Sequence, residues 1–296
     1  MKRISILLSA IALVAIIFAG CEKDNDKGTL QLSITDAPMD TSEIAGVYIT
    51  ITDIQYHISG NNFSSFEDFE GPKEFNLLDL TRGATELLGN LEMDPGTYTQ
   101  IRFILDAPEF GMGTPSSPGC YLEFKDGTTE QLFVPSGSQT GFKGVGAFTV
   151  PANGVVDVTA DFDVRKSVVH SGTSGMFILK PTIRLVVNNQ AGKIVGGVTN
   201  IPDGNDIVVY AYEEGVYSEE EASEPEVETP RFPNAVSSDI VDDSGNYHID
   251  FLAPKTYDLV VVALQDSEFY QVLGIVEGVV VESRETTTQS IDVDNL

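Results

Sequence analysis

The chain has 296 residues, a hydrophobic fraction of 42% and a formal net charge of −28, from 45 acidic and 17 basic side chains. So acidic a surface repels phosphate backbones, which argues against nucleic acid as a partner. The hydrophobic fraction suffices for a folded core, and the length allows one or two domains.

Residues 1–20 have the three parts of a secretory signal peptide. Lys2 and Arg3 form a basic start, residues 4–18 are almost entirely apolar, and the small residues Ala19 and Gly20 precede Cys21. A membrane-spanning helix needs about 20 apolar residues. The shorter stretch found here therefore predicts a signal peptide that is cleaved.

The ending FAGC resembles the lipobox of bacterial lipoproteins, with Phe18 where leucine is commoner. The resemblance implies cleavage before Cys21, lipidation of its thiol and anchoring in a membrane by the acyl chains. An ordinary cleaved signal is the alternative. Residues 21–27 form an acidic tether similar to lipoprotein export tags. We expect a lipid-anchored protein of the outer membrane that is exposed at the cell surface, with a periplasm-facing orientation as the alternative.

Apolar and polar residues alternate with a period of two along most of the chain. In GVYITITDIQYHI, for example, Val47, Ile49 and Ile51 fall on one side of the alternation. Turn motifs such as DPG, KDG, PANG and DDSG recur between these segments. The pattern predicts an all-β protein of short strands, with helix limited to a turn or two in DTSEIA (residues 40–45) and ATELLGN (residues 84–90).

The polar segment NNQAGK, residues 188–193, indicates a boundary between domains of residues 28–188 and 189–296. The second has about the size of one β-sandwich, and its 22 acidic and four basic side chains give a net charge of −18. Much of that excess lies in residues 213–230, whose composition predicts a disordered loop. We therefore expect two β-sandwich domains in tandem behind the signal peptide.

Several segments of the first domain resemble a family of bacterial domains of unknown function that is common in secreted lipoproteins. In chain order they are LQLSITDAP, VYITITDIQYH, LDLTRG, DPGTYTQIRFIL and DFDVRKSVVHSGTSGMFILKPTIRLV. The resemblance covers nearly all of residues 28–188. It implies an immunoglobulin-like β-sandwich without established chemistry.

The second domain resembles the carboxypeptidase regulatory-like, or transthyretin-like, sandwich in the segments GKIVGGVTN and VDDSGNYHIDFLAPKTYDLVVVAL. Lys255 stands where that family usually has glycine. The resemblance implies a folding or spacing unit and no peptidase activity.

The segments DPGTYTQIRF and APKTYDLVVV each place a tyrosine just after a turn, at the start of a strand. A tyrosine in this position can return its hydroxyl to the backbone, which is the tyrosine-corner arrangement. We therefore predict structural roles for Tyr98 and Tyr257.

Charged residues cluster near the end of the first domain. Asp161, Asp163 and Arg165 would share one face of a strand by alternation, and Lys180 and Arg184 follow on the next predicted strand. One interpretation is a charged binding patch. The alternative is cross-strand ion pairing at the surface, which contributes little stability.

No catalytic residue, metal ligand or cofactor is predicted. The chain has no G-x-S-x-G motif, and its three histidines lie far apart, without a metal-ligand spacing. Asp242, Asp243 and Asn246 flank Gly245 and could hold calcium, but a hairpin turn explains them without a metal and is the favoured interpretation. Cys120 has no cysteine partner once Cys21 carries lipid, so we predict a buried thiol and no disulfide.

These observations favour a cell-envelope lipoprotein that acts as a non-enzymatic binding or structural module, in adhesion or glycan handling. The alternative is an accessory subunit that docks a partner protein, and a hydrolase is a third possibility. The expected partners are the membrane, through the lipid, and a protein or glycan ligand.

Overall fold

A computed structural model describes residues 26–37, 43–58, 62–107, 119–134, 141–171, 175–226 and 229–296. Cys21 and most of the acidic tether lie outside these residues. The chain is almost entirely β-structure, as the alternating pattern predicts. No helix in the described ranges is long and apolar enough to cross a membrane.

Thirteen of the described strands form one mixed sheet, which uses only residues 28–187. They are β1 (Gly28–Ala37), β2 (Ile44–Ile58), β3 (Asn62–Ser65), β4 (Lys73–Asn76), β5 (Glu86–Met93), β6 (Gly96–Leu105), β7 (Tyr121–Phe124), β8 (Thr129–Phe133), β9 (Phe142–Val150), β10 (Val155–Asp163), β11 (Val168–His170), β12 (Phe177–Leu179) and β13 (Ile183–Val187). Their order is β11-β12-β8-β7-β2-β6-β9-β13-β10-β1-β5, and β3 and β4 also pair with β2. A 3-10 helix, Leu77–Leu80, and one helical turn, α1 (Val164–Ser167), interrupt the strands.

The long strand β2 pairs with four other strands of this sheet. Its first part pairs with β7 and β4, and its last part pairs with β6 and β3. Val47, Ile49 and Ile51 are fully buried, as the alternation predicts. A bulge follows between Ile51 and Asp53, and it lets Ile54 continue the buried row.

The remaining eight strands form two four-stranded sheets. They are β14 (Gly192–Thr199), β15 (Asp206–Glu213), β16 (Ser237–Ile240), β17 (Asn246–Leu252), β18 (Thr256–Gln265), β19 (Glu268–Val280), β20 (Thr286–Thr288) and β21 (Ile291–Asp292), with 3-10 helices at Asn188–Gln190, Glu219–Ala222 and Val293–Asn295. One sheet has the order β17-β14-β20, with β21 also paired to β14, and the other has the order β16-β15-β18-β19. Side chains from both sheets, such as Ile194, Ile249, Val209 and Val261, meet in one apolar core, which makes this half a β-sandwich.

The sheet containing β15 and β18 is buried on both faces, which explains why TYDLVVVALQ is a continuous apolar run rather than an alternating one. Its second face, with Tyr210 and Val260, is covered by the segment that follows β15, including Phe232. The prediction of a disordered loop over residues 213–230 is therefore wrong for residues 213–226. This segment has enough apolar side chains, among them Tyr217 and Ala222, to pack against the sheet.

The segment ATELLGN is also not helical, because residues from Glu86 onward form β5 at the sheet edge. In DTSEIA, residues 40–42 lie outside the described ranges and Ile44 already begins β2. Cys120 is a fully buried core residue, and burial raises the pKa of its thiol to about 12. The buried apolar clusters each draw on only one side of residue 190, and independent folding of the two halves stays a prediction.

Candidate functional site

The predicted charged residues lie where the two halves of the chain meet. The first contact comes from α1, whose N-cap residue Asp163 accepts the backbone N–H of Lys166 at 3.3 Å. The Asp163 carboxylate also pairs with the Arg165 guanidinium at 3.0 Å and with Lys166 Nζ at 3.3 Å. From this position Arg165 donates to the carbonyl oxygens of Phe232 at 3.4 Å and Ala235 at 3.5 Å, and Lys166 Nζ reaches Ala235 O at 2.5 Å.

Arg184 makes the second contact. It lies on β13 directly opposite Asp161 of β10, and its Nε is 3.1 Å from the Asp161 carboxylate. The same guanidinium donates to the carbonyl oxygen of Phe251, in the second half, at 2.8 Å. One arginine thus joins a cross-strand ion pair in one half to the backbone of the other.

Arg82 makes the third contact, from the turn before β5. It pairs with Asp239 at 3.1 Å and Asp242 at 3.2 Å, and it donates to Ile240 O. Its φ of 55° and the φ of 80° at Gly83 form a left-handed turn. A Cβ at Gly83 would lie 2.6 Å from an Asp250 oxygen, so this close approach requires glycine.

We call this set of contacts the seam: the donors Arg82, Arg165, Lys166 and Arg184 of the first half, and their acceptors in the second half. All four donors are basic and come from the half with more basic residues. The acceptors are carboxylates and backbone carbonyls of the half that has only four basic residues. The seam can therefore hold the two halves together through charge-assisted hydrogen bonds.

The pKa values of carboxylates in and beside the seam are shifted. Burial would raise the pKa of Asp163, but Arg165 and Lys166 outweigh that effect and hold its pKa below the usual value. At Asp239 burial dominates and raises the pKa to about 6, against the lowering effects of the His248 N–H and Arg82. These carboxylates therefore respond to pH in opposite directions.

Asp36 lies behind the seam, at the end of β1. Burial raises its pKa well above the usual range, and the nearby Asp161 and Asp163 act in the same direction. One carboxyl oxygen accepts the Val164 N–H at 2.9 Å, and the other is buried without a partner. Burial therefore favours the neutral form of this group over the charged form.

Comparison with known families identifies the first half. Residues 27–181, slightly more than half of the chain, match the family described as Domain of unknown function (DUF4382). The chain belongs to this family. The predicted resemblance of the first domain to a family of unknown function is thereby confirmed, and the seam donors Arg82, Arg165 and Lys166 lie within the DUF4382 region.

Solved structures resemble the chain only distantly. The TIE protein of Bacillus anthracis is 11% identical at a TM-score of 0.22 and covers 90% of this chain, which spans 34% of that protein. The minor pilin GBS52 of Streptococcus agalactiae is 14% identical at a TM-score of 0.24, with 88% and 94% of the two chains covered. The shaft pilin SpaA of Lactobacillus rhamnosus GG is 11% identical at 0.21, with 89% and 98% covered. TM-scores of this size do not define a shared fold, and no curated protein matches the chain.

The arrangement of the predicted charged patch differs from the expectation in two respects. Arg165 does not continue β10, because the strand ends at Asp163 and α1 follows. Lys180 is not on the strand of Arg184, because it lies between β12 and β13 and is exposed. Asp163 and Arg165 are buried, with side-chain exposures of 9% and 3%, so they form neither an open patch nor a surface ion pair.

Both predicted tyrosine corners have the expected hydrogen bond. The Tyr98 hydroxyl donates to Asp94 O at 2.8 Å, and the Tyr257 hydroxyl donates to Ala253 O at 3.0 Å. Each bond closes the turn ahead of its strand, β6 in the DUF4382 region and β18 in the second half.

The DDSG turn is explained by its own hydrogen bonds and by the seam. One Asp242 oxygen accepts the backbone N–H groups of Ser244 at 3.0 Å and Asn246 at 2.9 Å, while the other contacts Arg82. Among the described residues, no three His, Cys, Asp or Glu side chains converge on a position for a metal ion. What the seam can do chemically is hold and orient the two halves of the chain.

Proposed function

We propose that this DUF4382 protein is a lipid-anchored protein of the cell envelope that works as a non-enzymatic structural or binding module. The observation that supports this most directly is the seam. In the seam, the clustered charges of the protein join its two β-rich halves, which suits a stiff unit projecting from a membrane. Adhesion and glycan handling are the roles that such a unit fits.

The anchor in this proposal is Cys21, which lies outside the described residues. Its support is the sequence alone: a basic start, an apolar stretch, a small-residue cleavage site and an acidic tether. The proposed location is the outer membrane, with the protein facing the cell surface. The periplasm-facing orientation is the competing arrangement.

Palmitate labelling and surface proteolysis test the anchor and the orientation together. Cells producing the wild-type chain or Cys21→Ala are labelled with radioactive palmitate, and intact cells are then treated with protease. We expect label on the wild type only, and cleavage of the wild type in intact cells. Label on the Cys21→Ala chain contradicts lipidation at this residue, and protection until the cells are broken places the protein inside the envelope.

Docking of a partner protein is the second candidate, and one feature favours it. The edge strand β19 leaves Tyr270, Ile275 and Val280 exposed, at 52%, 39% and 54%. However, the register of its pairing with β18 shifts at three places, and such bulges protect sheet edges against added strands. A pull-down from native membranes tests this role: a protein captured by the wild type and lost with Ile275→Glu supports docking, whereas equal capture rules out this edge.

A further inference from the structure

Arg102, on β6, differs from every other arginine in the described residues. The other five donate hydrogen bonds to carboxylate or carbonyl oxygens: Arg82, Arg165, Arg184, Arg231 and Arg284. Arg102 has no such partner, and its Nε is buried without a hydrogen bond. Its guanidinium carbon instead lies 3.4 Å from the centre of the Phe63 ring. An arginine without a carboxylate is unexpected in a chain with 45 acidic side chains.

The register of three strands places further polar side chains beside Arg102. Gln55 of β2 lies directly opposite it on one side and Lys143 of β9 on the other. Side chains of directly opposite residues lie on the same face, with Cβ atoms about 5 Å apart. The sequence neighbours Ile101 and Phe103 are fully buried, so by alternation this row lies on the outer face of the sheet.

The next row adds an aromatic and an imidazole side chain. His57 lies opposite Phe63, with ring centres 5.4 Å apart. The Phe63 ring therefore contacts both Arg102 and His57, and it restricts the guanidinium to one orientation. We call Gln55, His57, Phe63, Arg102 and Lys143 the cationic platform.

The charge balance of the cationic platform is unfavourable without an added anion. Arg102 of β6 and Lys143 of β9 carry like charges and lie directly opposite each other on adjacent strands. This arrangement destabilises a sheet. The carboxylate nearest along β2, Asp53, binds Gln55 Nε2 at 2.9 Å and Ser65 Oγ at 2.7 Å rather than Arg102. A carboxylate bound at the Arg102 guanidinium would offset this repulsion through charge-assisted hydrogen bonds.

We propose that the cationic platform binds a carboxylate carried by a sugar, such as a uronic acid unit of a glycan. A guanidinium presents a planar fork that matches a carboxylate, and Lys143 supplies a second positive charge. Gln55 and His57 offer hydrogen-bonding groups for the neighbouring sugar hydroxyls. The net charge of −28 repels polyanions far more strongly than a single carboxylate, so the ligand has isolated rather than repeated charges.

This inference rests on the proposed binding role in one respect, because it takes a glycan as the ligand. It can fail without contradicting the proposed lipid anchor or the proposed role of the seam. The test uses residues 22–296 labelled with ¹⁵N, in which NMR resolves the arginine Nε–H signals. Glucuronate, glucose and acetate are titrated separately. We expect glucuronate to shift the Arg102 Nε–H signal to saturation, acetate to bind at least tenfold more weakly, and glucose to leave the signal unchanged.

Variants separate the cationic platform from general charge effects. Arg102→Gln is expected to abolish glucuronate binding, and Lys143→Gln to weaken it several-fold. Lys125→Gln removes one exposed positive charge from the β7–β8 hairpin and is expected to bind like the wild type. If Arg102→Gln disturbs the fold, as judged from its other amide signals, Lys143→Gln carries the test alone.

Four results overturn the proposal. They are absence of any glucuronate binding by the wild type, unchanged glucuronate affinity in the Arg102 and Lys143 variants, equal affinity for acetate and glucuronate, and a response to glucose as large as the response to glucuronate.

Discussion

The two halves of the molecule satisfy their buried polar groups in different ways. The first half pairs its own charges, as in Asp163 with Arg165 and Asp161 with Arg184, and both arginines also donate to carbonyl oxygens of the second half. The second half has 22 acidic and four basic residues, and Asp239, at 1% exposure, pairs with Arg82 from the other half. The buried Asp239 of the acidic half thus takes its cationic partner from the neighbouring half. The seam is the structural consequence.

The halves differ in their sheets as well. In β2 the apolar residues alternate, because one face lies in the core and the other is more open. In β18 they are continuous, because an apolar core lies on one face and the segment containing Phe232 covers the other. An acidic composition therefore did not prevent that segment from packing, since a few well-placed apolar side chains sufficed.

The largest expected effect comes from breaking the buried ion pair of Asp163 and Arg165 in the first half. Asp163→Asn leaves the Arg165 guanidinium buried beside a neutral amide. We expect the free energy of unfolding to fall by about 3 to 5 kcal/mol, because removing one partner of a buried pair leaves an uncompensated charge. Urea unfolding followed by circular dichroism measures it.

The matched control is the exposed pair of Lys255 and Glu213, whose side chains are 49% and 45% exposed. Glu213→Gln should change the free energy of unfolding by less than about 1 kcal/mol. Equal effects of the two substitutions would show that burial in the seam does not matter.

The covering segment of the second half gives the next largest effect. Phe232→Ala removes a ring that is 1% exposed and packs on Tyr210 at 4.6 Å between ring centres. We expect a loss of about 3 kcal/mol in the free energy of unfolding, whereas Val216→Ala, at an exposed position of the same segment, should cost less than about 0.5 kcal/mol. A negligible effect at Phe232 would restore the interpretation of a disordered loop.

The pH dependence of stability compares the carboxylates on the two sides of the seam. Asp239 has a raised pKa of about 6, against 3.8 for an ordinary aspartate, so its folded form binds a proton more tightly. Its contribution to stability is complete below pH 4 and is lost as the pH rises through 6. Asp163 has a lowered pKa, so its contribution is present above pH 4 and is lost as the pH falls further.

We therefore expect the free energy of unfolding to increase when the pH is lowered from 7.5 to 5. The share that depends on Asp239 should be about 1 kcal/mol over this range, because only about one pH unit of it lies below the folded pKa and one unit corresponds to about 1.4 kcal/mol. Asp239→Asn should remove that share of the slope in urea titrations at several pH values. An identical slope in wild type and variant would contradict the assignment.

The smallest effect concerns Cys120, which is free and buried. Reducing agent should leave the melting temperature of residues 22–296 unchanged, and an alkylating reagent should not modify Cys120 in the folded chain at neutral pH, because its pKa is about 12. A drop of several degrees in reducing agent, in protein shown to be monomeric, would indicate a disulfide.

Local patterns predicted much of the fold but little of the seam. The alternation in β2, the turns ahead of Tyr98 and Tyr257, and the family segments each depend on residues close in sequence. The contact of Arg82 with Asp239 joins residues 157 positions apart, and no local pattern marks either residue. The helical turn at Arg165 was missed because the alternation of Asp161, Asp163 and Arg165 is equally that of a continuous strand.

The central claim, that the seam joins the halves into one stiff unit, is tested most directly by an interdomain distance distribution. Spin labels at Glu130→Cys and Asp203→Cys, both at exposed positions, report on the two halves by pulsed electron paramagnetic resonance. We predict one narrow distribution in the otherwise wild-type chain, and a broad one when Arg82, Arg165 and Arg184 are all replaced by glutamine. A broad distribution with the seam intact, or a narrow one that survives the triple replacement, would contradict the account.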